Sequence, residues 1–253
     1  MSIINGLEIE NGVLIKCRSD EAHVTIPEGI TSIGERAFDE CTSLTSVTIP
    51  DSVTYIGKNA FRGCSSLTSI TIPEGVTSIG AWAFCDCKAL VSVRLPESAV
   101  LVGKWAFLGC ERLENVTLTG NPVIGHDAFK GCKRLFDENG FLCVGTRLLG
   151  FNGSSERALV PATVKSISRK AFFGCDSLKE VIIPEGVTEI ENGAFIACHA
   201  LKGVGIPDSV QLFGEEVFVD CPSLESISCP DSVSEKLSSS RAGYVLRMNS
   251  GKK

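Results

Sequence analysis

A proline period constrains this chain more than any other feature. Pro27, Pro50, Pro73 and Pro96 are 23 residues apart, and so are Pro161, Pro184, Pro207 and Pro230. Phe follows Pro by 11 residues, at Phe38, Phe61, Phe84, Phe107, Phe172, Phe195 and Phe218; Phe129 joins the column one residue early. Cys lies three residues after each Phe, from Cys41 to Cys221, and Leu three after each Cys. A unit this short cannot bury a core alone, so successive units must stack.

Within a unit, Ile70-Thr71-Ile72 alternates like a half-buried strand. Pro73 ends it, because proline cannot donate to a ladder. Pro-Glu-Gly-Val or Pro-Asp-Ser-Val then forms a turn. Val76 and Ile79 return inward, and Ala83-Phe84 with the following Cys reads as a short helical or 3-10 turn. About nine coils at the ~4.8 Å spacing of strands give a rod or shallow arc roughly 45 Å long.

The unit resembles the BspA-type leucine-rich repeats, L-x-x-V-x-I-P-x-x-V-x-x-I-G-x-x-A-F-x-x-C, over residues 24 to 233. The resemblance implies a right-handed α/β solenoid, with a short-stranded parallel sheet on one face and short helical or 3-10 turns on the other. It also implies an interaction protein, with bacterial surface adhesins among its kin.

The expected layout is one solenoid over 1–253. A start segment (1–23) precedes a first block of coils (24–137). An irregular hairpin insertion (138–160) separates it from a second block (161–233), and a cap and tail (234–253) follow. Thr119 replaces the proline of its coil. Glu138-Asn139-Gly140-Phe141-Leu142 echoes Glu10-Asn11-Gly12-Val13-Leu14. Phe141 to Val144 and Arg147 to Phe151 read as a hairpin about Gly145-Thr146. Ser232 with Glu235 fits a capping box, with Val233 and Leu237 inward. Residues Asn249 to Lys253 are expected to be disordered.

Twelve cysteines raise the question of metal or disulfides. Eight occupy the repeat column and read as buried thiols. Cys17, Cys85, Cys143 and Cys229 make no Cys-x-x-Cys spacing. His23, His126 and His199 fall in unrelated turns, and their register points them to solvent. No converging acid, base and nucleophile emerges, so neither enzyme nor cofactor is expected. The net charge of −6 argues against nucleic acid, and no apolar run approaches the ~18 residues of a membrane span. The absent leader and unpaired cysteines suggest a cytoplasmic protein, or a surface or secreted one if the chain is a fragment.

Two surface columns attract a binding role. Trp82 and Trp105 stand two before Phe on successive coils, beside Leu108. Phe173, Ile196 and Val219 stand just after Phe and form an apolar stripe. Tyr55 and Arg94 complete the candidates. The carboxylates after Pro (Glu28, Asp51, Glu74, Glu97, Glu185, Asp208, Asp231) form one column, read as solvated turn residues rather than a cation strip. The favoured function is a non-enzymatic protein-interaction module with a protein partner. The alternatives are an adhesin binding glycan or host protein, and a self-associating structural protein.

Overall fold

The structure, a computed structural model, describes residues 2–120 and 122–238. The expected disorder of Asn249 to Lys253 lies outside the described residues. The chain divides into two compact units between Leu135 and Phe136.

The first unit opens with an antiparallel meander, Ser2–Ile4, Leu7–Glu10 and Val13–Cys17. The last of these strands pairs in parallel with Ser32–Ile33. Tyr55–Ile56, Ser78–Ile79, Leu101–Val102 and Val123–Ile124 extend the same sheet. A second set of parallel strands contains His23–Thr25, Ser46–Thr48, Ser69–Thr71, Ser92–Leu95 and Asn115–Leu118. Each coil therefore contributes two short strands, and its register advances by one repeat: Tyr55 opposes Ser78, and Val93 opposes Ile70. The core between the two sets is built from Val, Ile, Leu and Phe columns. The rings of Phe38, Phe61, Phe84, Phe107 and Phe129 stack at 4.7, 5.2, 5.1 and 5.2 Å.

The second unit repeats this plan. Its hairpin, Phe141–Val144 and Arg147–Phe151, feeds the parallel strands Ser166–Ile167, Glu189–Ile190 and Leu212–Phe213. A second set runs through Arg157–Leu159, Glu180–Ile182, Gly203–Gly205 and Ser226–Ser228. The opening hairpins of the two units match residue by residue. Leu7 opposes Cys17 as Phe141 opposes Phe151, and Ile9 opposes Leu14 as Cys143 opposes Leu148. Both have a register shift at the same place. Arg18 N–H donates to Gly6 O at 2.8 Å, and Asn152 N–H to Gly140 O at 2.9 Å. Asn139-Gly140 is thus the counterpart of Asn5-Gly6, whereas the sequence echo aligns it with Asn11-Gly12.

The expected helical face is not there. The fold is a β-solenoid rather than an α/β solenoid. Among the described residues, helix is confined to a 3-10 turn at Lys133–Leu135 and an α-helix at Asp231–Ser238. The Ala-Phe-x-x-Cys stretch is a chain of turns, closed by bonds such as Ala37 N–H to Gly34 O and Cys41 N–H to Phe38 O. Two residues per coil are left-handed and interrupt any helix. One stands two before Phe (Arg36 φ 58°, Asn59 56°, Trp82 55°, Trp105 55°), the other two after it (Glu40 62°, Gly63 71°). Alternate amides consequently point along the stack. Arg36, Phe38 and Glu40 N–H donate to Lys58, Ala60 and Arg62 O at 3.0, 2.7 and 2.7 Å. The turns form a third inter-coil ladder.

The helix Asp231–Ser238 buries Val233 and Leu237, as its pattern requires. Pro230 O accepts Val233 and Ser234 N–H at 3.0 Å, which places Ser232 inside the first turn rather than at the expected capping position.

Candidate interaction surfaces

The thiol column is a built part of the stack. Cys64, Cys87, Cys110 and Cys132 Sγ donate to the Phe38, Phe61, Phe84 and Phe107 carbonyls of the preceding coil at 3.0 to 3.1 Å. Cys198 and Cys221 bond the Phe172 and Phe195 carbonyls at 3.0 Å. Those carbonyls face the core, so a small, weakly donating side chain serves both packing and polarity. Burial pushes the Cys64 thiol up to about 12.

Trp82 and Trp105 are half-buried and stacked, with centroids 4.8 Å apart and 20° between planes. Lys58 Nζ lies 5.6 Å from the Trp82 ring centre, and His126 packs edge-on against Trp105 at 4.5 Å. The outer faces of the pair are thereby covered, and indole edges are what it presents. Both tryptophans hold a left-handed backbone that costs a bulky residue about 1–3 kcal/mol. Leu108, one coil position on, is half-buried, while Cys85 is buried. His126 is half-buried beneath this cluster rather than directed to solvent.

In the second unit, Phe173 is 53% exposed, with Lys170 Nζ 5.1 Å from its ring centre. Ile196 and Val219 are half-buried in the same column on the following coils. Tyr55 stands 42% exposed on the first unit's larger sheet. Two exposed residues of that sheet region, Leu101 and Val123, oppose each other, with Val100 alongside. Their column carries Ser32, Tyr55 and Ser78 in the earlier coils, a mixture that hid this patch from sequence reasoning. Arg94 is exposed and pairs with Glu74, whose carboxylate also accepts Glu97 N–H at 3.3 Å. That pairing holds the Glu74 carboxyl below its usual range. Among the described residues, no group of three or more His, Cys, Asp or Glu is placed to hold a metal ion.

Two polar clusters also escaped the sequence. His23 Nδ1 lies 2.7 Å from Ser46 Oγ, a stacked pair on adjacent strands; the ring's other bond, at 3.5 Å, is to Thr45 Oγ1. His199 sits between Asp176 (Nδ1 to Oδ1, 2.5 Å) and Asp220 (Nε2 to Oδ2, 3.5 Å). The hydrogen bond to Asp176 is the first cause of a raised His199 pKa. The folded state then binds the proton more tightly than the unfolded one. The stabilisation is full below the ordinary histidine pKa and is lost as pH rises through the raised value. His199→Gln is therefore expected to lower the melting temperature at about pH 5.5 and to have little effect at about pH 8.5. Equal effects at both pH values would exclude the charged pairing.

A trough of about 810 Å³ crosses the strands Glu180–Ile182, Gly203–Gly205 and Ser226–Ser228. Gly203 and Gly205 place no side chain on its floor.

Short parallel strands stacked with inward Leu, Ile, Val and Phe columns define a leucine-rich-repeat protein. A family model of the BspA type leucine rich repeat region matches residues 8–135 and 151–241 in six copies, and the chain belongs to that family. A leucine-rich repeat protein from Eubacterium ventriosum has a similar fold. It is 22% identical over 85% of this chain and 65% of that one, with a TM-score of 0.51. A leucine-rich repeat protein of T. pallidum is 27% identical over 92% of this chain and 88% of that one, with a TM-score of 0.42. No curated protein matches the chain significantly.

Proposed function

We propose that the chain is a non-enzymatic protein-interaction module whose contacts are apolar side chains held on hydrogen-bonded turns. The stripe Phe173, Ile196 and Val219 is the principal surface, with Trp82, Trp105 and Leu108 a second one on the first unit. The observation that carries this reading is the large exposed ring of Phe173, continued by two aliphatic side chains on successive coils. An exposed ring continued by partly exposed aliphatic groups in a row is the kind of apolar surface that marks a contact site. Repeat stacking offers breadth rather than a deep pocket, which suits a protein partner.

The test is site-specific photo-crosslinking in the source cell, with a benzophenone side chain at position 173 or 105 and at the polar position 48 as control. The expected result is a discrete crosslinked protein from 173, a weaker one from 105 and none from 48. The mass of the purified reduced chain across a concentration series tells a second copy from a foreign partner. No adduct from 173, together with a mass independent of concentration, would overturn the proposal.

A further inference from the structure

We propose, resting on the stripe's role as a contact surface, that Phe173, Ile196 and Val219 dock on the same stripe of a second copy of this chain. The coils of the two copies run antiparallel about a two-fold axis level with Ile196. The turn ladder beneath the stripe sets its side chains in a row. Gly174 N–H donates to Ile196 O at 3.1 Å, and Ala197 N–H to Val219 O at 2.9 Å. The rings of Phe172, Phe195 and Phe218 under the row are 4.7 and 5.3 Å apart. The Lys170 ammonium covers part of the Phe173 ring.

The charges beside the stripe select this partner. Arg169 and Lys170 stand on its first coil, and Glu215 and Glu216 stand in the same two columns on its third. In the middle coil those columns hold Asn192 and Gly193. Arg169, Glu215 and Glu216 are exposed and Lys170 is half-buried, and none of them forms an ion pair among the described residues. Two coil steps, roughly 10 Å, keep the opposite charges apart. The first unit shows the alternative. There, opposite charges in the equivalent columns stand on adjacent coils and pair within the chain. Lys58 pairs with Glu35 at 3.8 Å in the Arg169 column, and Arg62 with Asp39 at 2.7 Å in the Phe173 column.

A two-fold contact brings residue i to j and j to i. With antiparallel coils, the first coil of one copy faces the third coil of the other. Arg169 and Lys170 then meet Glu215 and Glu216 of the second copy, twice over, and Phe173 meets Val219 of the second copy. The middle coil meets itself, and a charge there would oppose its own image. Its facing residues, Asn192, Gly193, Ile196 and Ala197, carry none. The charged residues beyond them on that coil are already paired, Glu191 with Arg147, and His199 with Asp176 and Asp220. A parallel arrangement would set the basic coils together and the acidic coils together, which costs affinity. Three coils give a small patch, so the dimer is expected at micromolar rather than nanomolar protein.

The experiment measures mass against concentration for the reduced full chain at low salt. Beside it stand two charge-reversed variants, Arg169→Glu with Lys170→Glu, and Glu215→Lys with Glu216→Lys. Each exchange puts in a residue type that its own column already holds, and Lys170 and Glu216 share a left-handed backbone with φ of 61° and 53°. Unchanged melting checks that both variants fold. The parent chain is expected to dimerise, and each variant alone to associate at least about tenfold more weakly. Their equimolar mixture should form a heterodimer at least as tight as the parent dimer. A benzophenone side chain at position 173 of the otherwise unaltered chain should link to the peptide that carries Val219, which decides the matter even if a variant fails to fold. A parent that stays monomeric, variants that dimerise like the parent, a mixture that stays monomeric, or a link to another surface would each overturn the second copy as partner. The stripe survives that result as a contact surface if position 173 captures a different protein in the source cell, and falls with it if position 173 captures none.

Discussion

Phe84→Ala is expected to destabilise the first unit by ~3–5 kcal/mol. Phe84 is fully buried in the middle of the ring stack, between Phe61 at 5.2 Å and Phe107 at 5.1 Å. Truncation removes the transfer free energy of one large ring and two offset stacking contacts. It also leaves a cavity that cannot close. The backbone on either side is held by Phe84 N–H to Ala106 O and by Phe61 N–H to Ala83 O, both 2.7 Å, so adjacent coils cannot sink toward each other. For a unit of this size the loss corresponds to a fall in melting temperature of roughly 10 °C or more. Urea titration followed by circular dichroism checks it. An unchanged midpoint would remove Phe84 from the core and, with it, the ring column as the organiser of the fold.

The same column explains why the repeat was legible in sequence. Pro, Phe, Cys and Leu recur at fixed spacing because each must occupy the same environment in every coil. Phe38, Phe61, Phe84, Phe107, Phe172 and Phe195 are all fully buried. The turn stretch was legible only in part. Its left-handed residue two after Phe is Gly at Gly63, Gly109, Gly131 and Gly174, a usable signal that a helix cannot form there. Its partner two before Phe is Gly only at Gly193 and otherwise carries Arg36, Asn59, Trp82, Trp105, Asp127, Lys170 or Glu216. Asn59 and Asp127 favour a positive φ, but nothing in the Arg, Trp, Lys and Glu side chains announces one. The inter-coil hydrogen bonds of the turn ladder select it, and such bonds have no signature within one repeat. The surfaces divide in the same way. Phe173 lies in a column of mixed chemistry, so its exposure could be suspected from sequence. The contacts that cover the faces of Trp82 and Trp105 come from Lys58 and His126, one register position away in neighbouring coils.

Gly103→Ala should be about as damaging as removing a core ring, although it adds one methyl group. Gly34, Gly57, Gly80, Gly103 and Gly125 follow the inward aliphatic residue of each coil. Their role is closeness rather than the unusual backbone that a turn glycine supplies. A Cβ on Gly103 would stand 2.5 Å from Ala81 N, 2.6 Å from Gly80 C and 2.8 Å from Ala81 Cα. All three are backbone atoms of the preceding coil, so no rotamer can relieve the contact. The coils must separate locally, which stretches the inter-coil bond from Gly103 N–H to Ile79 O at 2.8 Å. Overpacking of this kind costs more than ~3 kcal/mol when only backbone can move. Gly29 supplies the control: its φ is +83° but nothing lies within 4 Å of an added Cβ. Gly29→Ala then meets only the left-handed penalty of about 1–2 kcal/mol. The check is the urea midpoint of the two variants side by side. If Gly103→Ala cost no more than Gly29→Ala, this column would be conformational rather than steric, and the close approach of coils would not depend on the missing side chain.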